Sequence, residues 1–157
     1  MDSWACSDHV LTVANYQNET NYIDYNGLPQ SVTGVENDIA GASSNGPTRD
    51  GRVKPDLAAP GDITFSAGPA PFIASLLAGT GAFKVAPGGY HLRAGGTSIA
   101  SPVAAGAFAL YFEKCPNATH MDAIRSFELS TFGDVFTGAL PNMRWGAGKL
   151  NAYDALV

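Results

Sequence analysis

The stretch Gly95-Gly96-Thr97-Ser98-Ile99-Ala100-Ser101-Pro102-Val103-Ala104-Ala105-Gly106 constrains this chain more than any other. Two adjacent glycines permit a backbone reversal that a Cβ would obstruct, and a run of small, mostly helix-compatible residues follows at once. The pattern predicts a strand that turns at the glycines and enters a helix opened by Ser98. Pro102 falls within the first turn or so, where its missing N–H costs little because the first N–H groups of a helix have no partner within it. A hydroxyl at this end lies beside those N–H donors and the positive end of the helix dipole, which suit a developing oxyanion. Such a placement favours acyl transfer with the serine as nucleophile. For an isolated Gly-Thr-Ser the plainer reading is a serine that caps a buried, small-residue helix.

The seven residues Gly96-Thr97-Ser98-Ile99-Ala100-Ser101-Pro102 resemble the active-site serine signature of the subtilisin-like serine proteases, the subtilases. The resemblance implies that Ser98 is the nucleophile and that its own backbone N–H is one oxyanion-hole donor, with Gly96 and Thr97 beside the substrate. A second block, Asn45-Gly46-Pro47 through Asp50-Gly51-Arg52, Lys54-Pro55-Asp56 and Ala58-Ala59-Pro60-Gly61, is similar to the subtilase segment that precedes the serine motif. Read from its residues alone, it supplies turns at Asn45-Gly46 and Asp50-Gly51, then a short buried strand from Leu57 to Ala59 stopped by Pro60-Gly61. A third block, Trp145-Gly146-Ala147-Gly148-Lys149-Leu150-Asn151-Ala152, resembles the segment that closes subtilase catalytic domains. The three blocks stand in the family's order and extend the resemblance from about His9 to Leu156. The implied fold is α/β, the C-terminal portion of a subtilisin-like parallel sheet with helices on both faces. Residues 1–157 would then form a single partial catalytic domain, its C-terminal half.

Composition agrees with a packed domain and narrows its partners. The chain has 157 residues, 45% of them hydrophobic and 15% charged. Its net charge of −5, without a basic block, argues against nucleic acid or an anionic membrane surface as partner. No apolar run approaches the ~20 residues that span a bilayer. The N-terminal residues lack the basic and apolar regions of a signal peptide, yet the chain reads as starting inside a domain, and the family resemblance implies a secreted or extracytoplasmic protein. Cys6 and Cys115 are too few for a disulfide scaffold or a four-cysteine zinc site. They read either as one long-range bridge or, by default, as two thiols. No cofactor is needed for the chemistry; a structural calcium ion is compatible with the family, but no cluster has calcium-ligand spacing.

Along the chain, His9 to Asn15 is an apolar, β-branched run that predicts a strand buried in a parallel sheet. It resembles the subtilase strand that leads out of the substrate pocket, which would put Asp2 and Trp4 near that pocket; a loop with no substrate role reads equally well. Tyr16 to Gly34 is polar and aperiodic, a surface excursion. Arg52, Lys54 and Asp56 read as a solvated turn with local ion pairs. Phe65 to Gly89 fits the variable insertions that subtilases carry before the serine motif, and reads either as a substrate rim or as a helical turn packed on the core. Tyr90 to Ala94 predicts a strand that delivers the chain to the glycines. The helix after Ser98 is apolar on most faces, which predicts burial, and ends at Cys115-Pro116. Thr119 and Asp122 form a capping box for a second helix with Met121, Ile124 and Phe127 inward, and Asn151 opens a last one.

Acyl transfer by serine needs a base and a group that orients it. In the subtilase order the Asp, the His and the oxyanion Asn all precede the strand with which this chain begins. His9, His91 and His120 are each explained locally. The chain alone is therefore expected to be inactive, and its partners to be a peptide or protein substrate and an upstream half, or another chain, that completes the sheet. An α/β-hydrolase would need an acid and then a histidine after the serine, and only Glu113 lies between Ser98 and His120. The remaining rival is a protease-derived interaction module in which Ser98 has no catalytic role.

Overall fold

The computed structural model describes residues 3–157, with side chains from residue 5 onward. Asp2 and the side chain of Trp4, both expected near the substrate, lie outside what is described.

The centre is a parallel pair of strands, β1 (Val13–Tyr16) and β4 (Leu57–Pro60), in the register Val13 to Leu57 through Tyr16 to Pro60. The first strand starts later than the sequence implies. Val10 is turned back by its N–H bond to the Ser7 carbonyl, and Thr12 is fixed by a 2.6 Å bond from its N–H to the Asp56 carboxylate. On its far side β4 is completed by the closing segment: the Ala58 N–H donates to the Gly148 carbonyl, and the Leu150 N–H donates to the Ala58 carbonyl at 2.7 Å. The outer edge of β1 is occupied only towards its end, where the Asn15 carbonyl accepts from the Ala40 N–H. Two antiparallel hairpins flank this pair. β2 (Asn21–Ile23) with β3 (Pro29–Ser31) falls inside the stretch read as an aperiodic excursion, and β5 (Thr64–Ala67) pairs with β6 (His91–Ala94). The excursion is ordered by Asp24, whose Oδ1 accepts the N–H groups of Asn26 and Leu28 and whose Oδ2 accepts from Gln30. A polar hub of this kind carries no hydrophobic period, so the hairpin was not visible in the sequence.

Between β5 and β6 the inserted stretch forms α1 (Ala70–Ala78), which follows Pro69 and buries Ile73. The helix α2 (Thr97–Lys114) lies along β1 and β4 and ends at Cys115, as the sequence predicts. Its burial does not follow the sequence: only Ala100, Ala104 and Ala107 are inside, because a single face meets the strands, while Ala105, Ala109 and Leu110 are exposed. The helix α3 (His120–Ser130) carries the expected capping box, with the Asp122 N–H donating to Thr119 Oγ1 and the Thr119 N–H to the Asp122 carboxylate. Its inner face is Ala123, Ile124 and Phe127. Met121 is exposed rather than inward, because at 100° per residue it sits roughly a third of a turn from that face. Phe127 stacks on Phe108 of α2 at 4.5 Å between ring centres. The short α4 (Ala152–Leu156) is capped by Asn151, whose Oδ1 accepts from the Asp154 N–H. Helices α2, α3 and α4 share one core with Leu57; the opposite face of the strands is covered by Ile39, Leu140 and Trp145 from loops. No disulfide joins Cys6 to Cys115, and no described helix is long and apolar enough to cross a membrane.

Two lysines hold the frame together from within. Lys54 is buried, and its Nζ donates to Asp56 at 2.6 Å and to the Val10 carbonyl at 3.0 Å. The expected solvated turn is thus corrected for this pair, since Lys54 must enter the core to satisfy the end of β1; Arg52 alone stays half exposed, with Asp50 and Asp8. Lys149 is 1% exposed, donates to Asp134 and to the Asn37 carbonyl, both at 2.6 Å, and lies over the rings of Tyr16, Trp145 and Phe136.

This arrangement makes stability depend on pH with a definite sign. Desolvation pushes the Asp134 carboxyl up, but the bond from Lys149, the N–H groups of Phe136 and Thr137, and the lysine charge together hold it below its ordinary range. A carboxyl lowered in the folded state binds its proton more readily when unfolded, so its stabilising contribution is present above the unfolded carboxylate range and is lost as pH falls through the folded value. Glu128 acts in the opposite sense, because burial and then the charge of Asp56 raise it. Urea midpoints measured from pH 6 to pH 3 are expected to fall, and Asp134→Asn is expected to be less stable at pH 6 and to show a flatter dependence.

Candidate active site

The glycine turn is built from two different necessities. At Gly95 the need is space, since a Cβ would lie 2.5 Å from the Asp62 carbonyl oxygen. At Gly96 it is backbone angle: φ is 101° with nothing nearby, a conformation costly to an L side chain. The turn is anchored to the end of β4, because the Gly96 N–H donates to the Gly61 carbonyl at 2.8 Å and the Gly61 N–H to the Tyr16 carbonyl at 3.3 Å. Strand β6 thus delivers the chain to the carboxyl ends of the parallel strands, where crevices in open α/β sheets bind ligands.

Gly96 is the N-cap of α2, with no side-chain cap. Its carbonyl accepts from Ile99 at 2.9 Å and Ala100 at 3.2 Å, so the helix geometry leaves the N–H groups of Thr97 and Ser98 without an internal acceptor. Thr97 is the first helical residue and Ser98 the second, both exposed. A hydroxyl and an N–H without an acceptor in the helix therefore belong to the same residue at the positive end of an 18-residue helix. Pro102 lies in the second turn rather than the first. It lacks the N–H that would reach the Ser98 carbonyl, so it loosens the helix at the serine.

Not every residue linked to substrate in the sequence is brought to this turn. The short 3₁₀ turn Ser3–Cys6 that contains Trp4 is tied to the amino end of β1, where Thr12 Oγ1 donates to the Ala5 carbonyl; the serine stands at the carboxyl end. Among the described residues no histidine is hydrogen-bonded to Ser98. The rings of His9 and His120 face each other at 5.9 Å, and His91 is exposed at the start of β6, paired with Ala67 and a full strand's length from the turn. Among the described residues no group of three or more His, Cys, Asp or Glu is placed to hold a metal ion.

One turn beyond the serine an open apolar groove begins. It encloses about 390 Å³ between α2 and the start of β1, and its walls include Leu11, Val13, Ser101, Ala105, Phe108 and Phe112. A sheet that lacks its upstream strands is expected to leave an apolar face, but neither the place of this groove beside α2 nor the burial of Asn15 at the end of β1 is expected from the sequence. Both depend on which face of α2 the strands cover, and the sequence of an all-round apolar helix does not say.

A parallel β pair that leads through a glycine turn to an exposed serine at a helix start defines an α/β protein. The chain belongs to the subtilase family, Peptidase S8, whose family model matches residues 2–148. It is 34% identical to the serine protease AprX of Bacillus subtilis over 119 residues, which is 75% of this chain and 25% of AprX. Among solved structures it resembles fervidolysin from Fervidobacterium pennivorans, a keratinolytic enzyme related to subtilisin, with a TM-score of 0.62 and 24% identity over 97% of this chain and 19% of that one. It also resembles the CspB protease of Clostridium perfringens, with a TM-score of 0.63 and 21% identity over 96% of this chain and 27% of that one. These likenesses establish a subtilisin-like α/β fold. The chain spans about a quarter of the length of AprX.

Proposed function

We propose that this chain is the nucleophile-bearing part of a serine endopeptidase, acting through an acyl-enzyme on Ser98 once another stretch of polypeptide supplies the base, its orienting acid and a further oxyanion donor. The observation that carries the proposal is the exposed Ser98 at the second position of α2, with its own N–H and that of Thr97 free for an anion. In the reaction Ser98 Oγ attacks the peptide carbonyl and its proton passes to the supplied base. The carbonyl oxygen becomes an oxyanion facing the helix N-terminus, and the base returns the proton to the departing amine. Water then takes the place of the amine and releases the acyl group. Gly96 and Thr97 flank the attacking oxygen and line the place of the bond that is cut.

The supplied polypeptide has a place to dock. The groove beside α2 and the sparsely covered edge of β1 present apolar surface and backbone hydrogen-bonding groups together, the surface that an upstream half of a catalytic domain would bury. The same groove favours the second reading, a non-catalytic interaction module. Labelling with a fluorophosphonate probe separates them. The isolated chain is expected to remain unlabelled and to become labelled when the upstream half is added, with no labelling of Ser98→Ala. Binding of the upstream half without labelling would favour the module; labelling of the chain alone would mean that a base is already present here.

A further inference from the structure

We infer that Asn15 is a positioning residue for the nucleophile, setting the height of the serine turn through Gly61. Alternation along β1 puts Ala14 and Tyr16 in the core under Trp145, and Val13 and Asn15 on the face turned to α2. Asn15 is 1% exposed, and its Oδ1 has no hydrogen-bond partner among the described residues. Leaving a buried acceptor unpaired is unfavourable, and an aliphatic residue on the same strand would avoid it. The place where Asn15 carries this cost is specific. A Cβ on Gly61 would lie 2.6 Å from Asn15 Oδ1, 2.6 Å from the Ala100 nitrogen and 2.9 Å from the Gly96 oxygen. The amide oxygen therefore converges on the glycine whose carbonyl holds the Gly96 N–H, beside residues that flank Ser98 on both sides.

Asn15 is itself held rigidly, its N–H donating to Ser43 Oγ and its carbonyl accepting from Ala40, both at 3.0 Å. A fixed partial negative charge beside the first turn of α2 attracts that turn's N–H groups, among them Ala100, which bonds to the Gly96 carbonyl at 3.2 Å. Asn15 thus braces the turn from below, where no side-chain cap braces it from above. Its polarity serves the placement of the serine rather than the packing of the strand.

The inference rests on Ser98 being the nucleophile, and the test keeps the two apart. In the complemented protein, Asn15→Leu removes the oxygen and keeps the branching at Cγ but adds volume, so Asn15→Ala, which removes the oxygen without adding any, is measured beside it. Fluorophosphonate labelling and kcat are expected to fall about ten- to a hundredfold in both variants, as small misplacements of reacting groups do, with KM within about twofold. Asn15→Asp, which keeps an oxygen in place, is expected to recover most of the rate; Asn15→Ala is read in the same way if the leucine variant fails to fold. A wild-type rate in Asn15→Leu, or a rate loss that Asp does not rescue and that only tracks a lower thermal midpoint, overturns the positioning role. Absence of labelling in the unmodified complemented protein instead sinks the assignment of Ser98, and this inference with it.

Discussion

Replacing Ser98 by alanine is expected to lower kcat of the complemented protein by about a million-fold, the size of the loss when subtilisin, of the same family, is deprived of its nucleophile. The direction follows from geometry. Alanine removes the proposed nucleophile, but it leaves the backbone of α2, so the N–H groups of Thr97 and residue 98 stay at the helix start where an oxyanion is proposed to sit. KM is therefore expected to change little, and a residual rate about a thousandfold or more above that in water should survive from those donors and from substrate binding. Thr97 is the nearest alternative hydroxyl, one residue away and exposed. Activity in Ser98→Ala above about one part in a thousand of the original, retained in stopped assays of freshly purified protein, would move the nucleophile to that neighbour or elsewhere.

The largest effect on stability is expected far from the serine, at Gly146. Its φ of 60° already disfavours a side chain, and an added Cβ would overlap the carbonyl oxygens of both Pro55 and Asp56. Those atoms cannot yield cheaply. Asp56 O receives the Ala147 N–H at 2.7 Å, and the Asp56 side chain is held between Thr12 and Lys54. Relieving the overlap means moving the closing segment off β4. Gly146→Ala is expected to cost on the order of 4 kcal/mol, among the large values that point mutations reach. Gly138 provides the control: its φ is 65°, but nothing lies within 4 Å of its missing Cβ. Gly138→Ala should therefore show the conformational cost alone, about 1 to 2 kcal/mol. Equal urea midpoints for the two variants would mean that the segment shifts freely and that the contact to β4 is weak.

What could be read from the sequence divides along a physical line. Features governed by neighbours in the chain were legible: the glycine turn before Ser98, the capping box of Thr119 and Asp122, the Asn151 cap, the end of α2 at Cys115, and the buried Leu57 to Ala59 strand. Features governed by partners far along the chain were not. Lys54 reads in the sequence as part of a solvated turn and Lys149 has no role of its own there; both are buried because Val10, Asp56, Asn37 and Asp134 are brought to them. The apolar circumference of α2 predicts burial on most faces, yet this stretch of chain covers only the face with Ala100, Ala104 and Ala107. Asn15 carried no signal at all, because one polar residue in an apolar run reads as an edge of the strand rather than as a buried amide.

The last strand-like segment has a consequence for how the chain is made. Ala58 gives its N–H to Gly148 and its carbonyl to Leu150, and Lys149 reaches through the core to Asn37 beside β1. One edge of β4 thus waits for residues far downstream in the sequence. During synthesis, β1, β4 and the serine helix leave the ribosome before the piece that fastens them together, so this region matures late. Until then the edge of β4 is open to the wrong partner. A chaperone that shields the strands until Lys149 emerges would raise the yield of native protein more than one that acts on the finished chain.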